Sequence, residues 1–473
     1  MTLPLTRPPQ RSSGPPGWRG WLARWAAALP RRRAAALCAA LEREWMAGLL
    51  AGFAVFACVV AAVSASPPQR MWGTVAAAGY GLAALVALAG RRWGVPLAAT
   101  VSMAGAVIAP LAWMASTGTG QPEVSVVIRS AVLFLHHGTP YQNAAVIAAA
   151  RGNPSVYNPY LPALAVFGIP RAIFGGGLLT DPRVWFGVVF VAGFGLALSV
   201  SGIPRPWAWT VLVTASPVVA YPLATGGDDL PVLALICLGL ALLRPAWAAP
   251  GSPSRARLRG RPRAVQPGTP LVAHTAVQVA VAGVALGLAA AMKATAWPAL
   301  AVALALVAAR SGKRAAAGLV LAALSVPLVV DGPVLLAQPG SVVSNTILFP
   351  LGLTKIKSPA ASVLPGHLIA AGWGWGHWAA IGLVLLAGLA VAVSLISRPP
   401  RDAQAAGWRL VIGLSLMFAL APASRFGYIV YPLGLACWLL LARIAPAGIR
   451  SISAARPASS SRSAGRRVRS CRT

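Results

Sequence analysis

The chain has 473 residues, of which 57% are hydrophobic and 10% charged, with a mean hydropathy of +0.71. Soluble globular chains carry about 25% charged residues, so this composition excludes a soluble enzyme. Forty Lys and Arg against eight Asp and Glu give a formal charge of +32. In a soluble protein that would indicate nucleic acid. Here the basic residues fall in short segments between apolar runs, so they report topology and no nucleic-acid partner is expected.

Residues 1–45 are Arg- and Pro-rich and too long before the first apolar run for a cleaved signal peptide. They are expected to be a disordered basic cytoplasmic segment. Twelve apolar runs then approach the roughly 20 residues that a helix needs to cross a bilayer. They lie near 46–66, 72–90, 95–116, 183–201, 207–224, 230–246, 273–292, 295–310, 315–331, 374–396, 408–423 and 427–445. The expected fold is an all-α polytopic membrane protein of about 12 transmembrane helices. With the N-terminus inside, 31 of the 40 basic residues fall on the inner side, as the positive-inside rule requires. Both ends are then cytoplasmic. They include the Arg/Ser-rich tail 446–473, also expected to be disordered, and the basic loop 247–268 lies on the same side. Basic ends of this kind are partners for anionic membrane lipids.

Two long outer loops remain. The first, 117–182, starts with QPEVSVVIRSAVLFLHHG at 121–138, in which Val124, Val127, Ala131, Phe134 and Leu135 recur at helical spacing. This predicts a helix lying on the membrane, ended by Gly138, Pro140 and Tyr141. The segment 153–177 is apolar, but it holds Pro159, Pro162 and Pro170, and counting it as a span would invert every later Arg-rich loop. A juxtamembrane or re-entrant helix is expected there instead. The second outer loop, 332–373, carries Asn345, Lys355, Lys357 and His367.

The scarce ionisable groups mark the outer boundary. Glu123, Asp228, Asp229 and Asp331 lie at the outer mouths of different helices, with Lys293 and Arg425 at the outer ends of others. Charges at that depth are costly and often functional. Each also has a plainer reading. Glu123 suits a helix start, the pair Asp228/Asp229 suits a helix N-cap, and Lys293 can snorkel. The five cysteines (38, 58, 237, 437, 471) are scattered and show no metal-ligand spacing. Two adjacent carboxylates alone are a weak metal signal, so no metal site is assigned and divalent-metal dependence stays open.

An acidic residue after an in-to-out span, an amphipathic helix, a G-x-P-Y turn and a Tyr/Asn/Pro-rich stretch form a pattern. Here the pieces are Glu123, Gly138-Thr139-Pro140-Tyr141 and Tyr157-Asn158-Pro159-Tyr160-Leu161-Pro162. The pattern resembles the polyprenol-phosphate-mannose-dependent mannosyltransferases of glycosyltransferase family 87, which have the C-type membrane glycosyltransferase (GT-C) fold. The likeness is clearest over 95–310, and SRFGYIVYP at 424–432 looks like a family helix start. The family usually has Asp where this chain has Glu123. The two spans in 46–94 are additional to the family core, which would occupy 95–445.

The resemblance implies transfer of a hexosyl group, by analogy mannosyl, from a polyprenyl-phosphate sugar donor to a lipid or glycan acceptor on the outer face. No cofactor is required. Such transfer needs a base for the acceptor hydroxyl and cations for the leaving phosphate. Glu123 is the expected base. Lys293, Arg425 and His367 are the candidates for the donor phosphate. Asp228, Asp229, Tyr141, Tyr157, Asn158 and Tyr160 are the candidates for sugar or acceptor. Two rivals are a secondary transporter or lipid flippase and a non-catalytic relative acting in envelope assembly. A transporter predicts repeated halves and mid-membrane charges, and neither is evident in the sequence.

Overall fold

The computed structural model describes residues 31–89, 94–244 and 275–454. The expected loop 247–268, the pair Arg91/Arg92, and most of both terminal segments lie outside the described residues. The described residues are mostly helical and hold no strand, only an isolated parallel bridge between Ala361 and Ser424. Among the described residues, eight helices are long and apolar enough to cross a membrane, or nine if one bent pair counts as a single span. The protein is therefore an all-α, multi-pass membrane protein.

α1 (Arg31–Val63) begins inside the segment expected to be disordered, because the Ala-rich run from Arg31 onward continues the first apolar helix without a breaker. α2 (Pro67–Leu88) packs along α1 and against α3 (Gly94–Ser116). Buried aromatics fix this corner. Trp72 donates its indole N–H to the Ala106 carbonyl at 2.9 Å, and Tyr80 donates to the Ala215 carbonyl. These bonds tie α2 to α3 and to the chain far downstream. α4 (Pro122–His137) is the expected amphipathic helix. It ends at Gly138, whose φ of 68° is the left-handed cap that glycine adopts without steric cost. Val124, Val127 and Ala131 are buried, whereas Leu135 is exposed. α5 (Pro162–Phe174) is a short apolar helix, in keeping with the expectation that 153–177 does not cross.

The next helices explain why twelve apolar runs give fewer full-length spans. α6 (Pro182–Val200) is straight and long enough. α7 (Pro206–Ala215) and α8 (Pro217–Thr225) form one apolar run bent by 64°, since Pro217 cannot continue the α7 hydrogen bonding. α9 (Leu230–Leu242) and α10 (Ala276–Met292) are apolar but short. α11 (Trp297–Val330) covers two of the expected runs, 295–310 and 315–331, and a kink at Gly312 (φ 81°) separates them into two helical halves. α12 (Gly376–Ser397), α13 (Ala403–Leu420) and α14 (Val430–Ala454) complete the bundle, and α14 runs nine residues into the expected tail.

Packing in the centre uses small residues, as expected where lipid removes most of the hydrophobic drive between helices. α10 presents Gly283 and Gly287 to the second half of α11. A Cβ on Gly287 would lie 2.3 Å from the Ala323 carbonyl oxygen. α9 is buried between α6 and α10. One internal charge pair braces the region. Asp181 caps α6 and holds the Arg183 guanidinium through both oxygens at 2.8 Å, with both side chains at most 2% exposed. Arg183 also donates to the Ala224 carbonyl at 2.9 Å. The pair thereby links α6 to the end of α8, next to the site described below.

Candidate functional site

The site forms where four breaks in the helical pattern meet at one end of the bundle. The first is the start of α4. Gln121 donates its backbone N–H to the Thr225 carbonyl at 2.8 Å, so the α4 N-terminus is fastened to the end of α8. Gln121 is the N-cap, and Glu123 in the first turn points to another partner, Arg425, with which it forms an ion pair. The second break follows α8. Gly227 turns the chain at φ 83°, and Asp228 and Asp229 follow. Asp229 occupies the N-cap position of α9, yet its side chain caps nothing. The third is the end of α10, where Lys293 leaves the helix with extended backbone. The fourth is the link from α13 to α14, which carries Arg425 and the turn Phe426–Ile429.

Lys293 is the centre of a buried cluster. Its Nζ lies 2.7 Å from Asp228 Oδ2 and 2.5 Å from Asp229 Oδ1. It also sits over the Tyr160 ring, 4.7 Å from the centroid. Tyr431 donates to Asp229 Oδ1 at 2.9 Å and accepts from Thr295 Oγ1 at 3.1 Å. Burial alone would lower the Lys293 pKa, but the two carboxylates outweigh it and hold the ammonium well above the ordinary lysine value. Burial raises the Asp229 pKa, and the Lys293 charge opposes that rise. Both carboxylates engage Lys293, which is neutralised within the cluster while still lining the chambers described below.

The Tyr/Asn/Pro stretch supplies the floor. Leu161 donates its N–H to the Met292 carbonyl at 3.0 Å, which ties this stretch to the end of α10. Asn158 is buried and works as a brace. Its N–H donates to Asn345 Oδ1 at 2.8 Å, its Nδ2 donates to the Pro140 carbonyl, and its Oδ1 accepts the Tyr160 N–H at 3.0 Å. Tyr141 is also buried and donates to the Tyr160 carbonyl at 3.0 Å. Asp331, after α11, accepts the Ala163 N–H at 3.2 Å, and burial raises its pKa to about 7.

Two adjoining chambers result, sharing Glu123, Tyr160, Lys293, Arg425 and Tyr428. The first, of about 280 Å³, has mostly apolar walls that include Tyr157, Phe349 and Pro359. Tyr157 and Phe349 stack with centroids 4.5 Å apart. The second, of about 390 Å³, is more polar and reaches Gln121, Asp228, Asp229 and Ser424. Its roof is the strand-like contact of Ala361 with Ser424, where Ser362 donates its N–H to the Ser424 carbonyl.

Of the residues expected from sequence, Glu123, Asp228, Asp229, Tyr157, Tyr160, Lys293 and Arg425 line the chambers. Tyr141 and Asn158 stand behind the wall. His367 does not reach it: its Nδ1 sits 3.0 Å from the Pro422 carbonyl, so it braces the α13–α14 link. Tyr428, Tyr431 and Thr295 were not anticipated, although Tyr428 and Tyr431 lie in the SRFGYIVYP segment. Among the described residues no three His, Cys, Asp or Glu side chains gather as a metal site. In comparisons with known proteins, no family model, no curated protein and no solved structure matches this chain.

Proposed function

We propose that this protein is a membrane glycosyltransferase of the GT-C type, which moves a hexosyl group, by resemblance mannosyl, from a polyprenyl-phosphate donor to a lipid or glycan acceptor. The observation that carries the reading is the Glu123–Arg425 pair, set at the junction of an apolar and a polar chamber. A lipid-phosphate sugar has the same division into apolar chain, phosphate and polyol. In this reading the isoprenoid enters past the apolar chamber, and the sugar and acceptor occupy the polar one. The two termini are cytoplasmic and the cavity opens to the outside of the cell membrane, following the distribution of basic residues.

The chemistry follows from the pair. Arg425 is 34% exposed and Glu123 only 14%, so an incoming phosphate can reach the guanidinium first. The donor's phosphodiester anion offers two non-bridging oxygens, a strong bidentate partner for arginine. Its arrival loosens Glu123 from Arg425 and leaves a free carboxylate beside the polar chamber. The acceptor hydroxyl gives its proton to Glu123 as its oxygen bonds to the anomeric carbon. The bond from that carbon to the phosphate oxygen breaks, and the electron pair leaves with polyprenyl phosphate, whose charge Arg425 neutralises. Displacement on one face inverts the anomeric centre. Lys293 holds Asp228 and Asp229 in place, and the two aspartates offer carboxylate oxygens to sugar hydroxyls.

The test is sugar transfer by the purified full chain in proteoliposomes, with polyprenyl-phosphate-mannose as donor and a membrane extract as the source of acceptor. Donor-dependent incorporation of mannose supports the reading. Protein-dependent movement of the donor across the bilayer without transfer would favour a flippase instead.

A further inference from the structure

A second feature lies on helices that do not line the two chambers. α11, α12 and α13 enclose an apolar groove of about 240 Å³, walled by Val302, Val384, Ala387, Val391, Leu395 and Met417. Gly388 and Ala392 on its rim are exposed, so it opens to the side of the bundle. From Leu395 to Val384 it follows eleven residues of helix, about 16 Å at the α-helical rise. That is about half of a 30 Å hydrocarbon core, the depth of one leaflet.

Its far end is cationic. Arg409 lines the groove and donates to the Arg398 carbonyl at 2.6 Å and to Ser394 Oγ at 3.2 Å. Arg310 on α11 donates to the Arg401 carbonyl at 3.3 Å, which draws the α12–α13 link against α11. Arg398 and Arg401 therefore stand beside the groove mouth with exposed side chains, and Lys313 and Arg314 are exposed just past Arg310. Asp402 is the one acid between Arg398 and Arg409, and its Oδ1 is engaged by the Ala405 N–H at 2.7 Å. A cationic rim at the end of a one-leaflet apolar groove matches a molecule with an anionic head and a hydrocarbon tail.

We propose that this groove is a binding site for an anionic glycerophospholipid, with one acyl chain against α11, α12 and α13 and the phosphate among Arg398, Arg401 and Arg409. The proposal is independent of the cavity's chemistry. A basic helix end can also be purely topological, and the groove distinguishes the two: a topological signal needs no acyl slot.

The test is native mass spectrometry of the detergent-purified full chain given equal amounts of phosphatidylglycerol and phosphatidylcholine with identical chains. The wild type is expected to retain phosphatidylglycerol by about tenfold or more over phosphatidylcholine, the scale of two or more basic residues near a phosphate. Two variants separate head from tail. Arg398→Gln with Arg401→Gln removes two exposed charges but keeps the backbone carbonyls that Arg409 and Arg310 use, and it is expected to bring the ratio near one. Gly388→Leu fills the groove from a position whose Cβ meets nothing within 4 Å, and it is expected to reduce the bound phosphatidylglycerol severalfold. Equal retention of both lipids by the wild type overturns the proposal. So does a preference that survives the double arginine variant, or an undiminished amount of bound phosphatidylglycerol in Gly388→Leu, provided that variant elutes as the folded wild type.

Discussion

Arg425 reaches across the cavity to form an ion pair with Glu123, joining the link before α14 to the first turn of α4. The pair joins the two charges that the proposed reaction needs, one to hold a phosphate and one to take a proton. Each restrains the other until substrate arrives.

Arg425→Gln is expected to weaken donor binding most. A lost charge-assisted hydrogen bond is worth about 1.5–3 kcal/mol, so the KM for the lipid-phosphate donor should rise about tenfold or more. Arg425→Lys keeps the charge without the bidentate fork and should fall between. Steady-state kinetics with varied donor concentration checks this. An unchanged donor KM in both variants would remove Arg425 from the phosphate site.

Lys293 makes a different prediction. Lys293→Met leaves Asp228 and Asp229 facing each other in a buried pocket, and breaking a buried pair costs roughly 3–5 kcal/mol. Folded yield and thermal midpoint in detergent should drop sharply. Adding Asp228→Asn and Asp229→Asn should recover most of the loss, because it removes the stranded charges. A single variant as stable as wild type would show that the cluster does not hold the fold.

Asp331 gives a pH dependence. Burial raises its carboxyl from the ordinary 3.8 to about 7, so the folded state holds a proton that the unfolded chain releases. Its contribution to stability therefore declines as pH rises from about 4 toward about 7, and above about 7 the charged form stays buried at a cost on the order of 2–4 kcal/mol. Asp331→Asn keeps the oxygen that accepts the Ala163 N–H. The variant should be more stable than wild type at pH 8 and should lose that advantage toward pH 4. Thermal midpoints across that range test the sign.

The local features were legible in the sequence because they depend on neighbours in the chain. Helical spacing located α4, Gly138 its end, and the prolines of 153–177 ruled out a further crossing. Charge scarcity singled out Glu123, Asp228, Asp229, Asp331, Lys293 and Arg425, and all but Asp331 line the cavity. Partners were not legible. Nothing near Lys293 in sequence shows that Asp228 and Asp229 will neutralise it. Tyr431 reaches Asp229 over a long sequence separation, and such contacts leave no periodic trace. Hydropathy counts apolar residues and not unbroken helix, so Pro217 and the short α9 and α10 altered the count of spans.

The central claim is that Glu123 is the base in a sugar-transfer reaction. The most direct measurement is mannosyl transfer from polyprenyl-phosphate-mannose by the reconstituted wild type and by Glu123→Gln, an isosteric change that cannot accept the proton. The account predicts measurable transfer by wild type and a fall of about 10²-fold or more in kcat for the variant, with the variant still folded. Equal rates in the two would contradict it, as would the absence of transfer by folded wild-type protein.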